Sequence, residues 1–175
     1  LDRICAEFRT ALAADARLAI DTEFVGERSY EPSLELVQLA TVDGLVALVD
    51  IRAVGHELDA LADLILDPNV LKLVHAGGQD VGILRSYLGN APAPLFDTQI
   101  AASYVGFPLQ LGYGQMVRSL LRIELAKDES FADWTRRPIT TAMLDYAAND
   151  VVHLHDVHDK LRGRLEKLGR GSWVD

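Results

Sequence analysis

Leu18-Ala19-Ile20-Asp21-Thr22-Glu23 joins a short apolar run to an acidic triplet. The run reads as a buried strand, and strand side chains alternate between faces, so Asp21 and Glu23 point the same way at its end. Two carboxylates held together repel each other, and burial adds to the cost. Such a pair implies a hydrogen-bonding partner, a shared proton or a bridging cation. Oxygen-only ligands suit a hard ion, magnesium or manganese, with water or substrate phosphate in the remaining positions. The alternative is that Asp21 opens a turn and Glu23 is solvated.

Working outward, 175 residues that are 49% hydrophobic and 25% charged fit one soluble globular domain, with residues 1–175 expected to form a single unit. The apolar runs are too short for a membrane span, and no basic start precedes an apolar signal segment, so a cytoplasmic location is expected. Cys5 is alone, which removes an internal disulfide and a thiolate metal site. Seventeen basic against 26 acidic residues, a formal charge of -9, argue against a simple phosphate-binding surface. A nucleic-acid enzyme is still allowed, because ions held by carboxylates meet the phosphate in place of lysines.

Along the chain, Ile4, Cys5, Phe8, Ala11 and Leu12 have helical spacing, which predicts a helix over residues 1–14. Residues 34–41 read as a strand, and Asp43-Gly44 is a hairpin signal into a third strand over 45–50, an antiparallel meander. Helical periodicity over 57–66 precedes a strand over 70–74, and a helix follows over 79–88. Leu95-Phe96-Asp97 leads into a helix capped by Asp97 or Thr98 and ending at Val105, and another helix covers 115–121. One long final helix is expected from a Thr140 or Thr141 cap, with an apolar stripe through Leu144, Val151, Leu154, Leu161, Leu165 and Leu168, stopped by Gly169. Strands followed by alternating strands and helices predict an α/β domain with a mixed sheet covered by helices.

Three places can join the triplet. Asp80 starts a helix directly after Gly77-Gly78, where glycine permits a tight turn. Tyr146 and Asp150, four apart on the final helix, share one face, and together can orient a water against a metal. Taken singly, Asp80 reads as a first-turn acid favoured by the helix dipole, and Tyr146 with Asp150 as a surface pair.

Together, Asp21-x-Glu23, His75-Ala76-Gly77-Gly78-Gln79-Asp80 and Tyr146-x-x-x-Asp150 resemble the three exonuclease motifs of the DEDD superfamily of 3′→5′ exonucleases. The tyrosine four before the last aspartate resembles its tyrosine subtype; the histidine subtype needs His five before it, where Asp145 stands. The chain is also similar to the ribonuclease D family. Asp21-Thr22-Glu23-Phe24 with Tyr30 and Pro32, Leu36-Val37-Gln38-Leu39, Phe96-Asp97-Thr98, Lys127-x-Glu129-Ser130, Asp133-Trp134, Arg137-Pro138 and Tyr146-Ala147-Ala148-Asn149-Asp150-Val151 carry that resemblance in order. Phe131 stands where a basic residue is expected, and no helical C-terminal domain of the HRDC type follows in these residues.

The resemblance implies a ribonuclease H-like mixed β-sheet flanked by helices. It implies that Asp21, Glu23, Asp80 and Asp150 hold two Mg²⁺ or Mn²⁺ ions about 4 Å apart, and that Tyr146 orients the attacking water. The expected reaction is stepwise hydrolysis from a free RNA 3′ end, tRNA precursors or other structured RNA among the substrates, releasing nucleoside 5′-monophosphates. Single-stranded DNA is the alternative polymer, and a non-catalytic RNA-binding scaffold the alternative role. Lys127, Trp134, Arg136 and Arg137 are expected to guide RNA, cations for phosphate and an aromatic face for a base, against the alternative that Trp134 is core. His75 is assigned to phosphate or to structure, and Phe24 to a terminal base or to packing. His155 and His158, three apart, give only a weak zinc reading, since no second ligand pair accompanies them.

Overall fold

The computed structural model describes residues 1–26, 32–125 and 132–174. Helix α1 (Asp2–Leu12) buries Cys5, Phe8 and Leu12, the stripe its periodicity predicts. Strands β1 (Arg17–Val25), β2 (Ser33–Ala40) and β3 (Val46–Asp50) form the expected meander, each antiparallel to the next. A short helix, α2 (Ile51–Val54), not anticipated from periodicity, exists because Asp50 caps it, accepting from the Arg52 and Ala53 amides. Helix α3 (Asp59–Ile65) leads to β4 (Leu71–Val74), α4 (Gly78–Leu88) and β5 (Leu95–Asp97). Then come α5 (Thr98–Tyr104), α6 (Tyr113–Leu121), α7 (Thr141–Val152) and α8 (Leu154–Lys167).

The sheet runs in the order β3-β2-β1-β4-β5, with β1 antiparallel to β2 and parallel to β4. Its central strand is therefore the one that carries the acidic triplet, which lies within the strand and not at its end, since pairing with β2 continues through Phe24 and Val25. Alternation along β1 divides the core: Leu18 and Ile20 join a cluster with α1, α3 and α4, while Ala19 joins a second cluster with α5, α6 and α8. A third, smaller cluster of Leu36, Trp134, Met143 and Ala147 lies under α7.

The single long final helix is corrected to two. His153, at φ -102° and ψ -2°, separates α7 from α8. The reason is tertiary: α7 lies across β1, β2 and β3, whereas α8 packs on α5, α6 and β4, so one straight rod would miss one of these surfaces. The apolar stripe continues through the break and gives no sign of it. Leu168, counted in that stripe, is exposed.

Lys72 is the least expected core residue. Its side chain is fully buried on β4, and Nζ donates to the carbonyls of Asp67, Val70 and Ala93 at 2.7, 2.7 and 2.6 Å. Burial pulls its pKa down to about 8, yet the three carbonyls match the three donors of an ammonium and tie the loops before β4 and β5 together. Lys72→Met is expected to lower the unfolding free energy by about 3 kcal/mol, because three carbonyls lose their donor inside the protein. Urea denaturation of both proteins measures this.

Candidate metal centre

Asp21 and Glu23 leave β1 on the face opposite Leu18 and Ile20, towards α7, which brings Asp150. Carboxylate oxygens of Asp21, Glu23 and Asp150 lie within 4.8 Å of one another, the one such acidic group among the described residues. Tyr146 is one turn before Asp150 on α7, and its ring lies 6.3 Å from that of Trp134, centroid to centroid.

Asp80 arrives from the other side of the sheet. It occupies the first turn of α4 and accepts from the Thr22 hydroxyl, which alternation directs away from Asp21 and Glu23. The turn before α4 needs Gly77, since a Cβ there would lie 2.8 Å from Val74 Cβ. Asp97 fixes the same turn from β5, accepting from the Ala76 and Gly77 amides at 3.0 Å each while also capping α5.

The electrostatics follow from this crowding. Burial, then Asp80, Asp150 and Glu23, hold the Asp21 carboxyl well above its ordinary pKa. Burial, with Asp150 and Asp80, pushes Glu23 up to about 8. Burial also raises Asp80, opposed by the Thr22 hydroxyl. Asp21, Glu23 and Asp150, crowded together with no histidine or thiolate among them, form a donor set for a hard divalent cation.

The other expected contacts divide. His75 is not presented to a phosphate: Nε2 lies 2.9 Å from the Leu111 carbonyl and Nδ1 2.9 Å from the Thr98 hydroxyl, so both ring nitrogens are used within the protein. Trp134 is only 3% exposed and belongs to the core, not to a base-stacking platform. Arg137 gives Nε and a terminal nitrogen to Asp50 at 2.6 and 2.8 Å, and its other terminal nitrogen to the Trp134 and Arg136 carbonyls. Its fork is therefore engaged in the protein and not offered to RNA. Arg136 is exposed. Phe24 is partly buried against the cluster that includes α1 and α4. Lys127, like Tyr30, Glu129, Ser130 and Phe131, lies outside the described residues. His155 meets the Arg17 carbonyl and His158 meets Asp159 and Arg17, which accounts for both as structural groups and removes the zinc reading.

Thr22, Gln38 and Tyr113 adjoin the site and were not legible as such. Gln38 is opposite Asp21 in the β1–β2 register, so it shares that face and is fully buried. A glutamine inside an apolar strand was the available signal, but its neighbour depends on register. The Tyr113 phenol, whose oxygen is buried, is pushed up by burial and by Asp150 and Asp21 nearby.

The described fold is a ribonuclease H-like sheet, the architecture of solved exonucleases that superpose on it. A model of the 3′-5′ exonuclease family matches residues 2–166. The chain belongs to that family. A ribonuclease D from Sphingobium indicum is 44% identical over 171 residues, covering 97% of this chain and 44% of the relative. The crystal structure of Escherichia coli RNase D, described as an exoribonuclease involved in structured RNA processing, superposes with a TM-score of 0.86 at 36% identity, over 96% of this chain and 44% of that one. NrnC of Brucella melitensis, bound to pGG, superposes at 0.83 with 31% identity, over 91% of this chain and 78% of NrnC. NrnC has also been solved with bound Mg²⁺. The chain spans under half the length of the ribonuclease D relatives. None of the described helices is long and apolar enough to cross a membrane.

Glu23 sets a pH dependence. Its folded pKa of about 8 lies above the ordinary glutamate value, so between these pH values the native state binds more protons than the unfolded state. Stability then falls as pH rises through that window. In EDTA the melting temperature is expected to drop between pH 5 and 8, by on the order of several degrees, and Mn²⁺ at pH 8 is expected to restore it. Scanning calorimetry with and without the ion measures both effects.

Proposed function

We propose that residues 1–175 act as one 3′→5′ exonuclease domain that hydrolyses RNA from a free 3′ end and releases nucleoside 5′-monophosphates. The observation that carries this reading is the meeting of carboxylates from separate motifs within 4.8 Å, in a chain of the 3′-5′ exonuclease family. RNA is favoured over DNA, since one relative is a ribonuclease D and the Escherichia coli structure an exoribonuclease involved in structured RNA processing; structured RNA, tRNA precursors included, is the substrate class of this reading. A cytoplasmic location accompanies the reading, consistent with the lone buried thiol of Cys5.

The residues present fit divalent ions, since every donor is a carboxylate oxygen and the mutual repulsion is of the kind a cation relieves. Asp21, Glu23 and Asp150 would hold two Mg²⁺ or Mn²⁺ ions, with Asp80 as the fourth acid. When bound, the ions supply activation of a water and neutralisation of the leaving 3′ oxygen. Tyr146, on the Asp150 face of α7, holds the attacking water in line. A neutral phenol is a weak base near neutral pH, so its part is orientation, not proton removal. Thr22 holds the Asp80 carboxylate in place through its hydroxyl. Arg136 and Lys127 are the cations assigned to the RNA backbone, and Phe24 supplies apolar surface for the terminal base.

The test is degradation of 5′-labelled and 3′-labelled single-stranded RNA and DNA in Mn²⁺, Mg²⁺ or EDTA. A metal-dependent ladder receding from the 3′ end, faster on RNA, is expected. Asp21→Asn and Asp150→Asn are expected to abolish it with the fold intact, and Tyr146→Phe to lower kcat by about 100-fold. Faster loss of DNA would reassign the substrate, and binding of RNA without cleavage would leave a scaffold.

A further inference from the structure

Glu35 is the inserted residue of a β-bulge. Glu23 pairs with Leu36 and Phe24 pairs with Leu34, so Glu35 has no partner on β1. A bulge redirects the side chain it inserts, and here it turns a fully buried carboxylate towards two guanidinium groups. Arg52 Nε lies 2.6 Å from one oxygen and its terminal nitrogen 2.9 Å from the other. A terminal nitrogen of Arg137 lies at 3.6 Å, and the Ser33 hydroxyl donates at 3.0 Å. Arg137 also grips Asp50 with its fork and holds the Trp134 and Arg136 carbonyls, while Arg52 donates to the Thr135 carbonyl at 3.2 Å.

These bonds join β2, β3 and the start of α2 to the segment 133–137. That segment carries Trp134, which packs with Leu36, the partner of Glu23, and lies against Tyr146. We propose that Glu35, Arg52, Arg137 and Asp50 form a positioning lock that sets Tyr146, through Trp134, at the acidic centre. An exposed ion pair would do little for orientation. This carboxylate has no exposure, and removing one of its cations leaves a buried charge undercompensated, so the cluster tolerates one geometry. Planar bidentate pairing at Arg137 adds direction to that constraint. The inference rests on the exonuclease reading for the role of Tyr146, and on geometry alone for the placing of Trp134.

The experiment uses Arg137→Met and Arg137→Lys, each made with Tyr146 intact and with Tyr146→Phe, in a Trp173→Phe background that leaves Trp134 as the lone tryptophan. Cleavage of 5′-labelled RNA in Mn²⁺ gives kcat and KM, and tryptophan emission reports the placing of Trp134 without ion or RNA. Arg137→Met is expected to lower kcat on the order of tenfold with KM changed less than about twofold, and to cost less than about twofold once Tyr146 is Phe. Its emission shifts to the red, and Arg137→Lys, which keeps the charge but not the fork, falls between. Equal losses with and without Tyr146 would overturn the proposal. A raised KM at unchanged kcat would also overturn it and return Arg137 to the RNA. If Arg137→Met fails to fold, Arg137→Lys carries the same comparison. If the parent protein cleaves nothing in Mn²⁺, the exonuclease reading fails on its own, and unchanged emission in Arg137→Lys then overturns the lock separately.

Discussion

Mutual repulsion among the carboxylates of Asp21, Glu23 and Asp150 is the constraint on which the rest of the structure depends. Three acids sharing a space within 4.8 Å oppose folding in the absence of a cation. The fold tolerates them because their supports are well packed. The strand that carries two of them is paired on both sides, and the apolar residues beneath it, Leu18, Ala19 and Ile20, are almost entirely buried. α7 contributes the third acid and is held to the sheet by Met143 and Ala147. Hydrophobic burial thus offsets the electrostatic cost of the acidic group.

Alternation on β1 lets one strand serve both layers of the molecule. Its odd positions deliver Asp21 and Glu23 towards α7, and its even position, Thr22, reaches through to Asp80 on α4. Hydroxyl donation from Thr22 holds Asp80 close enough to raise the pKa of both acids across the sheet. The tight turn at Gly77, bonded to Asp97 of β5, places that helix start against the sheet end. The site therefore gathers acids from three distant parts of the chain, β1, the start of α4 and α7.

Several residues with reactive or cationic side chains are instead part of the framework. Lys72 bridges three carbonyls, His75 ties the start of α5 to the loop before α6, and His155 and His158 hold α8 against the start of β1 with Arg17. Each satisfies backbone or side-chain groups that burial would otherwise leave without a partner. Arg137 does the same for the segment beneath Tyr146, which moves it from substrate contact to architecture.

Period and punctuation in the sequence determined most elements. Alternation and Asp43-Gly44 specified the meander, Asp97 specified a helix start, and the spacing of Asp21, Glu23, Tyr146 and Asp150 placed like groups on shared faces. These are local properties, set by strand and helix geometry. Tertiary structure alone decided the break at His153, because two packing surfaces compete for one continuous apolar stripe. It also decided that Gln38 lies beside Asp21, that Thr22 holds Asp80, that Trp134 faces inward and that Arg137 is engaged by Asp50. Those outcomes depend on strand register, a bulge at Glu35 and the pairing of one buried carboxylate with arginines, contacts between residues far apart in the chain whose geometry no local pattern encodes.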